Sequence, residues 1–76
     1  MADKTAYILV RYAPQVEGYL GFGGRVEVVR GDFALVAVPR DYARWQLGRL
    51  ASGGYVVPPG LFEDRSGAMS ALEERV

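Results

Sequence analysis

Two nearly uninterrupted apolar runs dominate the pattern of this chain: residues 7–12 (YILVRY) and 33–38 (FALVAV). Short runs rich in β-branched and aromatic residues, closed by turn formers, predict the central strands of a sheet. Ala13-Pro14 closes the first run and Pro39 the second. Between them, residues 25–30 (RVEVVR) alternate, which predicts a strand with Val26 and Val28 inward and Arg25 and Glu27 outward. Gly31-Asp32 supplies turn chemistry for a hairpin between the second and third strands.

The remaining elements follow from helical spacing and its punctuation. Val16, Tyr19 and Leu20 lie at i, i+3, i+4, but Gly18, Gly21, Gly23 and Gly24 limit that crossover to about two turns. GFGG (21–24) lacks the spacing of a phosphate loop and reads as a turn. Asp41 is placed to cap a helix over residues 42–51, with Ala43, Leu47 and Leu50 on one face and Arg40, Arg44 and Arg49 elsewhere. Tyr42 and Trp45 fall on its flank, where the indole is expected to seal the edge of the core. Gly53-Gly54 stops the helix and residues 55–57 form a short last strand. Pro58-Pro59-Gly60 is expected to expel the chain from the sheet, because proline donates nothing to a ladder. In residues 66–76, Met69, Leu72 and Val76 recur at i, i+3, i+7 and Ser70 with Glu73 has capping-box spacing, which predicts a second helix.

The order strand, short crossover, strand, strand, helix, strand can close into a split βαβ unit. The expected fold is therefore α+β: a ferredoxin-like sandwich with a four-stranded antiparallel sheet, helices on one face, a shortened first crossover and an extra C-terminal helix. Residues 1–60 form the domain in this reading. Residues 61–76 are a tail whose short amphipathic helix fills the face left bare by the stunted crossover or meets a partner.

Composition narrows the chemistry. A chain of 76 residues is at most one small domain. It has no cysteine and no histidine, which removes disulfides, thiolate chemistry, the usual neutral-pH base and the commonest metal ligand. Its acidic residues are scattered, with no spacing that forces two carboxylates together. A non-enzymatic protein without cofactor or metal is the expectation. Nine basic and nine acidic residues cancel, so no net field draws the chain to nucleic acid or an anionic membrane. No apolar run approaches the ~20 residues of a membrane helix, and MADKTA lacks signal-peptide character. The reading is a small soluble protein of the cytoplasm, without membrane contact.

The order and punctuation resemble the propeptide-like inhibitors of subtilisin-type serine proteases. The resemblance spans residues 7–60: YILVRY as first strand, GGRVEVV as second, FALVAVP running into the helix, then Ala43 and Leu47 through to YVVPPG. It implies a non-catalytic protease inhibitor or intramolecular chaperone, whose open sheet face packs on the protease and whose tail enters the active-site cleft. On this sequence the implied partner-binding residues are Tyr55, Val57, Pro58, Pro59, Gly60, Leu61 and Phe62. Three departures stand out: the glycine-broken first crossover, Gly53 where an apolar residue is usual, and Val57-Pro58-Pro59 where the family carries acidic residues.

Two other classes remain open. A small interaction or assembly protein, such as a phage or virion component or an inhibitor of a host enzyme, would use the same apolar surfaces. An RNA-binding sheet is disfavoured. RGDFALVAV matches the RNA recognition motif only loosely and places Leu35 and Val38 where stacking rings belong.

Overall fold

The computed structural model describes residues 4–21 and 23–75. The chain runs through β1 (Thr5–Arg11), a 3-10 crossover (Pro14–Tyr19), β2 (Arg25–Arg30), β3 (Phe33–Pro39), a 3-10 turn (Arg40–Tyr42), α1 (Ala43–Ser52), β4 (Val56–Phe62) and α2 (Arg65–Glu74). The four strands form one sheet in the order β2-β3-β1-β4, with every neighbouring pair antiparallel. This is the ferredoxin-like α+β arrangement.

The two apolar runs take the two central positions. β1 and β3 pair without interruption from Thr5–Pro39 to Arg11–Phe33. Because the sheet is covered on both sides, neither strand needs a polar face. Ala6, Ile8 and Val10 with Ala34, Val36 and Val38 point to one side, where Val16, Ala43 and Leu50 cover them. Tyr7, Leu9, Leu35 and Ala37 point to the other, where Ala68 and Leu72 of α2 cover them together with Val57 of β4.

The helices are thus divided between the faces, contrary to the expectation of one helical face. α2 covers the side opposite α1 and the crossover. Its cap is Asp64, whose Oδ1 accepts from the Gly67 amide at 2.6 Å, and not the Ser70–Glu73 pair. Ala68 and Leu72 are its buried residues, Met69 is half-buried, and Val76 lies outside the described residues.

β2 departs from strict alternation. Val26 pairs with Val36 but Val28 pairs with Leu35, so Glu27 is an extra residue in a bulge. Val26 therefore packs on the α1 side and Val28 on the α2 side, where one inward face had been expected. The bulge also turns Glu27 towards α2, where Arg65 Nε donates to its Oε1 at 2.7 Å.

β4 brings the main correction. The chain does not leave the sheet at Pro58. Val56 pairs with Val10, residues 57–60 bow outward opposite Leu9, and Leu61 and Phe62 pair again with Ile8 and Tyr7. The peptide between Pro58 and Pro59 is cis and Gly60 has φ +88. A Cβ at Gly60 would lie 2.9 Å from Val56 Cγ1, so position 60 accepts only glycine on both backbone and steric grounds. Residues 61–75 belong to the same packed unit as the rest, so no boundary falls between positions 60 and 61.

Candidate functional site

The residues singled out by the propeptide resemblance are drawn into the fold. Tyr55 packs edge-on against Tyr19, with ring centroids 5.2 Å apart. Val57 is buried beneath α2, while Leu61 and Phe62 are half-buried on opposite faces of β4. Gly60 is buried, and Pro58 and Pro59 are exposed at the crest of the outward bow. The structure places six of these seven residues along β4, with Tyr55 directly before it, and not in a free tail.

The sheet face that the resemblance assigns to a protease lies under α2. The helix is fastened at both margins of the sheet. On the β2 side Arg65 meets Glu27 at 2.7 Å and Glu73 meets Arg30 at 3.7 Å. On the β4 side Arg75 Nη2 donates to the Pro58 carbonyl at 3.1 Å. The hydrogen bond and negative charge of Glu27 hold the Arg65 guanidinium above its ordinary range. A raised cation contributes stability below its unfolded pKa and loses it only as pH rises through the folded value. Arg65 consequently stays charged across all ordinary buffers. The RNA reading meets cover on both faces: Leu35 is buried under α2, and Val38 is buried on the opposite face under the α1 side.

A different surface carries exposed recognition chemistry. Tyr42 and Trp45 keep 46% and 45% of their surface accessible, on the outer flank of α1. The Arg49 guanidinium carbon sits 5.0 Å from the Trp45 ring centroid, one helical turn on, and Arg49 Nε donates to the Tyr19 carbonyl at 2.9 Å. The indole edge approaches Gly21, where a Cβ would stand 3.6 Å from Cζ3 and Cη2. Trp45 is therefore held between an arginine and a glycine backbone. It borders the crossover without being sealed by it.

Beneath this flank lies the one buried polar side chain among the described residues. Gln46 Oε1 accepts from the Gly21 amide at 3.3 Å, and its Nε2 donates to the Gly21 carbonyl. A single side-chain amide thereby satisfies both backbone groups of Gly21 and ties the glycine-rich turn to α1. Gln46 escaped notice in the sequence, although it lies at i+3 from Ala43 and i−4 from Leu50 on the inward stripe. Trp45 and Arg49 at i, i+4 was the corresponding legible signal for the stack.

Comparisons with protein-family models, with curated proteins and with solved structures returned no match.

Proposed function

We propose that the chain is a non-catalytic protein-binding module that meets its partner through the outer flank of α1. The observation that carries this is the Trp45–Arg49 pair: a large ring, 45% exposed, whose position is already fixed from both sides. Trp, Tyr and Arg dominate the energetics of protein interfaces, and a ring ordered before contact loses little rotamer freedom on binding.

The propeptide resemblance names a subtilisin-type serine protease as the first partner to try. Its mode of contact is a poor match. Docking on the sheet face would require α2 to leave Tyr7, Leu9, Leu35, Ala37 and Val57. Exposing Leu72 alone costs about 2 kcal/mol, a large share of the margin of a small domain.

The test is a titration of three forms into a subtilisin-type protease, following residual activity and chain integrity. The forms are the wild type, Trp45→Ala and the double variant Arg65→Ala/Glu73→Ala, which removes the two ion pairs between α2 and β2. The α1 reading expects Trp45→Ala to weaken inhibition by at least about tenfold and the double variant to match the wild type. Stronger inhibition by the double variant, with Trp45→Ala unchanged, would assign binding to the sheet face and overturn the α1 reading. A protease indifferent to all three forms is excluded as the partner, and the assembly class then stands alone.

A further inference from the structure

Where β1 begins, β4 ends and α1 starts, the surface opens into a cleft of about 220 Å³ lined by Ala6, Arg40, Ala43, Arg44, Leu61 and Glu63. We propose that this cleft binds a carboxylate carried on a short, branched apolar stem. The proposal is independent of the α1-flank reading, since it rests on a different part of the surface.

The lining divides by chemistry. Ala6, Ala43 and Leu61 give the apolar part of the lining, and the exposed Arg40 and Arg44 give its positive part. Arg40 is fixed in place: its Nη2 donates to the carbonyls of Glu63 at 2.7 Å and Thr5 at 3.3 Å. Both bonds use one nitrogen, and the other terminal nitrogen lies 4.0 Å from Glu63 Oε1. Arg44 makes no hydrogen bond or ion pair among the described residues, so its whole planar fork is available. A guanidinium fork matches the two oxygens of a carboxylate in bidentate geometry.

Size and polarity select the ligand. The cleft is below the roughly 300–1,000 Å³ typical of sites for drug-sized molecules, so it suits something like one amino-acid residue. An inorganic anion would satisfy the arginines but leave the apolar lining unused. A neutral apolar group would meet the apolar lining and leave Arg44 without an acceptor. A carboxylate on an isobutyl-sized stem uses both. Such a group occurs at the C-terminus of a peptide ending in leucine and in free branched aliphatic acids. Glu63 is the opposing charge on the lining, and it holds affinity down.

The experiment is amide chemical-shift titration of the intact chain with four probes: N-acetyl-leucinate, its neutral amide N-acetyl-leucinamide, isovalerate and inorganic phosphate. The acid is expected to give saturable shifts at Ala6, Ala43, Arg44, Leu61 and Glu63 with a dissociation constant on the order of millimolar. Arg44→Gln, a substitution at an exposed position, should weaken it about tenfold. Glu63→Gln should strengthen it, a change that damage to the fold cannot imitate. N-acetyl-leucinate binding above isovalerate points to a peptide C-terminus, and the reverse order to a free acid. The proposal fails if the neutral amide binds as well as the acid, or if phosphate equals it. It fails equally if Arg44→Gln changes nothing, or if no probe gives saturable shifts at these residues.

Discussion

Gln46 and Gly60 are single positions on which local geometry depends. Replacing Gln46 by leucine keeps the volume and the helix but strips the Gly21 amide and carbonyl of their partners. The expected cost is about 1–3 kcal/mol, the penalty of leaving part-buried backbone groups unsatisfied, read as a lower urea midpoint and a displaced Gly21 amide resonance. Two glycines with positive φ make a controlled contrast. Gly31 has φ +59 and open space around it, so Gly31→Ala should cost only the ~1–2 kcal/mol of a left-handed backbone. Gly60→Ala adds a Cβ 2.9 Å from Val56 and 3.3 Å from Leu47, and should be the more destabilising of the two in the same denaturation assay. Legibility at this scale depended on whether a residue type announces its role. Leucines and valines did. Gln46 did not, since a glutamine on a helix is ordinarily solvated and only its place in the inward stripe gave it away. Gly60 was read as part of a break, because nothing in Pro-Pro-Gly says that the chain will turn back.

At the level of elements, α2 is held by one large buried side chain, Leu72, one small one, Ala68, the half-buried Met69 and Ala71, and a set of exposed polar contacts. Leu72→Ala should destabilise the protein by about 2–5 kcal/mol, through lost transfer energy and the cavity left behind. The urea midpoint measures it, and Met69→Ala, at a half-buried position, should move that midpoint less. Helices were legible as helices: the periods over α1 and α2 placed both to within about two residues. The side of the sheet that α2 covers was not, because Ala68 carries almost no hydrophobic signal. β4 shows the same limit. Two prolines argue against ladder pairing, yet Leu61 and Phe62 alternate between faces in register with Ile8 and Tyr7 and return the strand to the sheet. A short bow carries the donorless residues past the ladder, and periodicity within seven residues is too brief to foretell it.

The whole molecule is two cores sharing one pair of strands. β1 and β3 contribute alternate residues to each side, so neither core persists without the other. The chain should unfold in one transition, and Leu72→Ala, on the α2 side, should shift Trp45 fluorescence and far-UV circular dichroism together. A fluorescence midpoint that held while the dichroism midpoint fell would mean that the α1 side melts by itself. With about 4–8 °C of melting temperature per kcal/mol for a chain of this size, the expected common shift is at least about 8 °C. The outward bow of β4 has a further consequence, in the company of other copies. A row of unsatisfied N–H and C=O groups along a sheet margin is a template on which foreign strands can grow. Here one margin carries two consecutive residues without an N–H, lifted clear of the ladder, and the other carries a bulge with arginines at Arg25 and Arg30. Neither border offers a straight, neutral run on which fibrillar growth could begin. A sheet of this small size, rich in valine, is thereby insulated against seeding its own polymer.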